Sequence, residues 1–148
     1  MAALTRRPRL SGERGAELIE MAIALPLLLL VVMGIVDFGF LFQRYLVLTN
    51  AAMEGARVAV LPGYSMSDAQ NRASTYATTG GVPAGTVTAL ATAVSLPGAS
   101  GGSWPGVKVT VTHVYSYQFI GPIAGLFSGF YDSVTLTAQS TVRRQLGS

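Results

Sequence analysis

The fold of this chain follows from residues 14–57, which read RGAELIEMAIALPLLLLVVMGIVDFGFLFQRYLVLTNAAMEGAR. Residues 21–36 carry no charge, and the apolar character continues past Asp37 to Phe42. A helix over residues 21–42 is about 33 Å long, enough to cross a hydrocarbon core of about 30 Å. We therefore predict a transmembrane helix. A buried core helix is the alternative, but no other segment is apolar enough to enclose it.

The position of the basic residues predicts the direction of this span. The chain has a net charge of +3, and the whole excess lies in the first fifteen residues, before the apolar run. The basic residues there are Arg6, Arg7, Arg9 and Arg14. Because arginines favour the cytoplasmic side, the N-terminus is expected inside and residues 61–148 outside, in the periplasm or beyond. The balanced remainder excludes a nucleic-acid-binding face.

Composition excludes several further classes of function. Half of the residues are hydrophobic and 11% are charged, whereas soluble domains carry about 25% charged residues. The chain has no cysteine and a single histidine, His113, so neither a thiolate site nor a histidine cluster can hold a metal. No nucleophile elbow, phosphate-binding glycine loop or paired-carboxylate site is present. We predict a protein that is not an enzyme and has no cofactor.

The boundary before the span does not resemble a simple secretory signal peptide. Glu17 and Glu20 lie between the arginines and the apolar run, and the segment is longer than a signal requires. Gly15 follows the basic leader and precedes Glu20 by five positions. A residue without a Cβ at this position lets the backbone enter a protease cleft closely.

Residues 14–57 resemble the N-terminal region of TadE-like proteins, the pseudopilins or minor pilins of the tight-adherence (Tad, Flp-type) pilus. The resemblance rests on the Gly15 and Glu20 pair, Pro26 in the apolar run, the Asp37-Phe-Gly triplet, and LTNAA followed by GAR. It covers nearly a third of the chain.

The resemblance implies that a prepilin peptidase cuts between Gly15 and Ala16 on the cytoplasmic side and leaves the span in place. The mature chain then either stays in the inner membrane or enters the pilus. Its implied partners are other Tad pilins and pseudopilins and the inner-membrane assembly platform of an adhesion pilus. Glu20 becomes the fifth residue of the mature chain, where pilin-like proteins hold an acid. Flp major pilins typically carry tyrosine next, and Met21 here favours a minor component.

The acids within and before the span have a physical interpretation as well. An unpaired Glu20 carboxylate is costly at the edge of the apolar phase. In a fibre it could neutralise the new α-amino group at Ala16 of a neighbour and so set axial register. The alternative for Glu17 and Glu20 is a small favourable interaction with the helix N-terminus. Asp37 is either an interfacial residue or, like Glu17, a candidate partner contact.

The helical pattern continues beyond the membrane and predicts one helix over residues 17–60, ended by Pro62 and Gly63. Small and apolar residues repeat along it at alternating spacings of four and three: Gly34, Phe38, Leu41, Tyr45, Leu48, Ala52, Gly55 and Ala59. This stripe could pack on another subunit or on the chain's own sheet. On the opposite side Glu54 and Arg57 are spaced to pair.

The remainder of the chain predicts a small α/β domain. A second helix is expected over residues 67–79, capped by Ser67 with Gln70. Alternating patterns predict strands over residues 86–96, 107–119 and 134–142, with 97–106 as a flexible connector. The predicted fold is therefore α+β: a long transmembrane helix that continues into a pilin-like domain with a second helix and a three-stranded antiparallel sheet.

Two features of the outer domain, the segment 119–131 and His113, can each be interpreted in more than one way. The apolar segment 119–131 is either a loop that plugs the core or rests on the outer leaflet, or a partner-contact patch. His113 lies among apolar residues on its strand, and we interpret it as a packed, hydrogen-bonded histidine rather than a ligand or base.

The sequence thus predicts a pilin-like assembly protein with a leader over residues 1–15, a helix over 16–60 and an outer domain over 61–148. The alternative is an uncleaved single-pass anchor whose outer domain binds a surface ligand. A membrane-bound hydrolase ranks last because no catalytic group of residues is present.

Overall fold

The first and longest element, α1, is a single helix over Gly12–Ala59. The computed structural model describes residues 12–98, 101–125 and 133–144. The 48 residues of α1 extend about 72 Å. The helix continues through Pro26, and it ends ahead of Gly63, whose positive φ of 83° no helix accepts. Compared with the prediction, α1 begins five residues earlier and ends one residue earlier.

The second helix, α2, spans Met66–Thr79, and its N-cap differs from the predicted one. The Ser65 hydroxyl accepts a hydrogen bond from the Asp68 N–H at 3.2 Å, and the Asp68 carboxylate accepts one from the Ser65 N–H at 2.8 Å. This reciprocal pair is a capping box. The predicted cap at Ser67 with Gln70 is therefore wrong. Ser67 is the second residue of the helix, and its hydroxyl lies 2.7 Å from that of Ser65.

The three predicted strands are present and form one antiparallel sheet. They are β1 (Val87–Pro97), β2 (Ser103–Ser116) and β3 (Ser133–Arg143), in the order β1-β2-β3. A short 3-10 turn, Ala84–Thr86, precedes β1, and a short helix, α3 (Ile120–Gly125), follows β2. The inward-facing register pairs Ala91 with Val109 and Val111 with Ala138.

The ends of β2 differ from the prediction at both sides. The strand begins at Ser103 because Trp104 pairs with Leu96, and the guanidinium carbon of Arg143 lies 3.5 Å from the centre of the Trp104 ring. Half of the predicted connector, residues 97–106, is thus part of the sheet, namely Pro97 and residues 103–106. The strand ends at Ser116, so Phe119 is not in the sheet.

The core lies between the sheet and the two long helices. The C-terminal half of α1 and the whole of α2 cover one sheet face, and their contact surfaces are almost entirely alanine. The buried apolar helix residues are Leu48, Ala51, Ala52, Ala56, Ala59, Ala69, Ala73 and Ala77. A Cβ built on Gly55 would lie 2.9 Å from the Ala69 carbonyl oxygen, so glycine is required for this close approach. The architecture confirms the predicted α+β fold.

Candidate functional site

The N-terminal half of α1 is an exposed apolar rod. Within the described residues, one helical segment, Gly15–Ala59, is long and apolar enough to cross a bilayer. Its apolar side chains from Leu18 to Val32 are exposed, whereas the buried residues of the described chain all lie at or after Asp37. One long apolar helix near the N-terminus fits a single-pass membrane anchor.

The predicted cleavage site lies in the first turns of this rod. Gly15 is the fourth residue of α1, and a Cβ built on it would meet nothing within 4 Å. Glu17 and Glu20 are exposed, and the structure records no hydrogen bond or ion pair to either carboxylate among the described residues. Arg6, Arg7 and Arg9 of the leader lie outside those residues. Processing at Gly15 and Ala16, and assembly through Glu20, stay predictions.

Asp37 is the polar centre of the junction between the rod and the outer domain. It is fully buried, and its carboxylate accepts three backbone hydrogen bonds from the segment that leads into α3. The Gln118 N–H donates to Oδ1 at 3.0 Å, while those of Phe119 and Ile120 donate to Oδ2 at 3.0 and 2.7 Å. Helix α1 thus supplies the acid that caps the first turn of α3, more than eighty positions later in the sequence.

This arrangement accounts for a carboxylate within an apolar helix. A carboxylate in an apolar environment is tolerated where hydrogen-bond donors satisfy it. The Tyr115 hydroxyl adds a longer contact, 3.4 Å, to the Asp37 carbonyl oxygen. A role for Asp37 in a contact with another subunit stays a prediction, although its carboxylate is already bonded within the chain. The sequence did not predict that Asp37 bonds the backbone of residues 118–120. It indicated only that a buried carboxylate at this position needs hydrogen-bond donors.

The stripe of small residues is occupied, over its C-terminal half, by the chain's own helix and sheet. From Leu48 onward its members are buried against α2 and β2, which is the self-packing interpretation. On the outer side, Glu54 lies 3.8 Å from Arg57, as the spacing predicted, but its closer partner is Arg72 of α2, at 2.8 Å. The hydrogen bond from Arg72 lowers the pKa of Glu54 below its ordinary value.

His113 is a packed histidine, as the sequence predicted. It is buried on the inner face of β2, its Nδ1 lies 3.4 Å from the Thr86 carbonyl oxygen, and its ring meets that of Tyr115 edge-on. Burial lowers its pKa, and the positive charge of Arg44 contributes to this shift. Within residues 12–98, 101–125 and 133–144, no group of three His, Asp or Glu side chains could hold a metal ion.

The apolar segment 119–131 is placed only in part. Residues 119–125 lie against α1, where a Cβ on Gly34 would touch the Ile120 side chain at 3.4 Å. Residues 126–131 lie outside the described part of the chain. The described portion packs on the rod at the level of Gly34 and Asp37.

Comparison with known families identifies the rod and its continuation. A family model described as TadE-like protein matches residues 15–57, which confirms the resemblance inferred from the sequence. No curated protein and no solved structure matches the chain. The match begins at Gly15, ends in the helix packed on the sheet, and relates this chain to a family of structural proteins of the Tad pilus.

Proposed function

We propose that this chain is a pseudopilin or minor pilin that takes part in assembly of a Tad pilus. It is made as a precursor, cut between Gly15 and Ala16 by a prepilin peptidase, and held by its apolar helix in the inner membrane. The observation that carries the proposal is the family match over residues 15–57, which spans the predicted cleavage site and the whole apolar rod.

The shape of the molecule supports an assembly role. A subunit that packs through its helix needs apolar surface that its own outer domain leaves free. In α1 the residues before Gly34 provide that surface, and the outer domain covers one side of the other half. The same surface can face lipid before assembly and neighbouring helices afterwards, since both environments are apolar.

The exposed carboxylate of Glu20 supports a role in register. Cleavage at Ala16 would create an α-amino group about 6 Å along the helix from Glu20. In an apolar assembly an unpaired carboxylate is strongly disfavoured, so the favoured stacking places each Glu20 against the amine of a neighbouring subunit. Glu17 lies nearly a full turn closer to the N-terminus and is the natural comparison.

The first test is the intact mass of the membrane-extracted protein with and without Gly15→Leu. We expect a mature chain that begins at Ala16 in the wild type and a full-length chain in the variant. Gly39→Leu is the matched control, because a Cβ at either glycine meets nothing within 4 Å and both lie in α1. A full-length wild-type chain would instead favour the alternative, an uncleaved single-pass anchor with an outer binding domain.

The second test separates assembly from processing. Glu20→Gln should leave cleavage intact and reduce the amount of pilus, whereas Glu17→Gln should reduce it less. Normal piliation with Glu20→Gln would contradict the register argument.

The orientation of the chain in the membrane can be tested in the same strains. The chain has no cysteine, so Ser95→Cys, at an exposed site of β1, introduces a single one. With the outer domain outside, this cysteine should react with an impermeant maleimide in spheroplasts.

A further inference from the structure

A groove lies beside the point where the rod meets the outer domain. It has a volume of about 460 Å³ and is lined by α1, the turn before β1, and the end of β2 with the segment after it. Its lining includes Phe40, Arg44, Thr86, His113, Ser116 and Phe119. Phe40 and Phe119 are each more than 40% exposed, so one end of the groove is apolar and open.

Arg44 is the cation of this groove. Its side chain is half-buried, and no carboxylate lies within 4 Å of its guanidinium in the part of the chain that the structure describes. A Cβ built on Gly81 would lie 2.9 Å from one guanidinium nitrogen, so the side chain rests against the turn after α2. A guanidinium held in this way presents donors that match the oxygens of a phosphate.

The level of Arg44 along the helix is that of lipid headgroups. A hydrocarbon core of about 30 Å takes about 20 residues of helix, which from Met21 end at Phe40. Arg44 lies about 6 Å farther along the axis, within a headgroup layer about 5–7 Å thick. Phe40 and Phe119 then lie at the outer edge of the hydrocarbon core. The Asp37 carboxylate, hydrogen-bonded to the backbone of residues 118–120, lies just inside that edge.

We propose that this groove binds a phospholipid of the outer leaflet of the inner membrane, with the phosphate held by Arg44 and an acyl chain along Phe40 and Phe119. The proposal rests on the membrane anchoring given under the proposed function and on the orientation predicted from the sequence, and it is independent of any role in a pilus. A bound lipid would tie the outer domain to the membrane surface beside its own helix.

A carboxylate from a second copy is the competing occupant. The candidate acids Glu17 and Glu20 lie at the opposite end of the apolar rod, Glu20 about 36 Å from Arg44 along the helix axis. Two copies at the same depth in a bilayer therefore cannot pair these groups. A phospholipid reaches Arg44 at the depth that every anchored copy occupies, so lipid is the occupant that the geometry favours.

The test is native mass spectrometry of the full chain after extraction from vesicles of phosphatidylglycerol and phosphatidylethanolamine. We expect the wild type to retain one phospholipid and Arg44→Gln to lower its occupancy by roughly tenfold, as the loss of a charge-assisted hydrogen bond predicts. Arg57→Gln is the control, because Arg57 lies on the same helix and its side chain is 77% exposed. Ser116→Trp fills the groove with Arg44 in place and should also lower retention.

Four outcomes would overturn the proposal. The first is that the wild type and both groove variants retain the phospholipid equally, and the second is that the wild type retains a phosphate-free glycosyl diacylglycerol equally well. The third is that millimolar inorganic phosphate displaces the lipid. The fourth is that residue 44 crosslinks to a second copy in place of lipid. Resistance of each variant to alkaline carbonate extraction is measured alongside. A chain that fails to remain in the membrane contradicts the proposed anchoring, whereas an anchored chain without bound lipid contradicts the groove alone.

Discussion

Asp37 joins the rod to the outer domain through a single side chain. Its carboxylate caps three successive N–H groups, those of Gln118, Phe119 and Ile120, and so determines where the chain turns from β2 into α3. Hydrogen bonds to charged groups are stronger than those between neutral groups, and N–H groups left unpaired in a buried place are costly. The position of α3 on the rod therefore depends on this one acid.

Replacement of Asp37 should release that segment. We expect Asp37→Ala to lower the free energy of unfolding by about 3 kcal/mol, since three donors lose a charged acceptor. Asp37→Asn should cost less because one oxygen remains. Hydrogen exchange of the full chain in micelles should show faster exchange at residues 118–120 in Asp37→Ala. Asp68→Asn, which weakens the cap of α2, should leave those amides protected, and unchanged exchange in Asp37→Ala would contradict the assignment.

His113 should make the outer domain sensitive to mild acid. Burial lowers its pKa below the ordinary value of 6.5, so the unfolded chain takes up a proton at a higher pH than the folded chain does. Its stabilising contribution is therefore complete above about pH 6.5 and is lost as the pH falls below that value. The melting temperature in micelles should fall between pH 7 and pH 5, and less steeply in His113→Gln.

Two acids of the outer domain, Glu54 and Asp68, do not interfere with this measurement. Hydrogen bonds lower the pKa of Glu54 and that of Asp68 below their ordinary values, so both groups titrate below the window. The same pH slope in wild type and His113→Gln would contradict the assignment of the effect to His113.

At the scale of the elements, the N-cap of α2 is a place where the sequence pattern and the structure disagree. The sequence predicted the cap at Ser67, whereas in the structure the N-cap is Ser65. We expect Ser65→Ala to lower the free energy of unfolding by about 1 kcal/mol, as the loss of an N-cap does. Ser67→Ala should cost less than half of that, and denaturant titration of both variants measures the difference. The reverse order would restore the cap predicted from the sequence.

The elements themselves were largely predictable, because periodicity is a local property. The long apolar helix, the second helix and three alternating strands follow from residue spacing alone, within a few residues at each end. The extension of β2 to Ser103 was not predictable, since it depends on the contact between Trp104 and Arg143 across the sheet. The partners of Asp37 were hidden for the same reason: no local pattern relates residue 37 to residues 118–120.

At the scale of the whole molecule, α1 belongs to two environments. Its N-terminal half is stable in an apolar phase because its backbone is satisfied within the helix and its side chains are apolar. Its C-terminal half is amphipathic and is part of the core of the outer domain. The outer domain first touches the helix between Gly34 and Asp37, through the Ile120 side chain and the segment before α3.

This division predicts that the outer domain folds without the apolar half of the rod. The buried residues of the described chain all lie at or after Asp37, so a fragment of residues 34–148 retains them together with the Gly34 contact. We expect it to be monomeric in solution, with slow hydrogen exchange over residues 48–59. A shorter fragment, residues 38–148, differs from it only by the loss of residues 34–37. It should lose protection from hydrogen exchange at residues 118–120, while the core stays protected. Aggregation of the longer fragment, or equal protection of residues 118–120 in both, would show that the rod contributes to the fold beyond that junction.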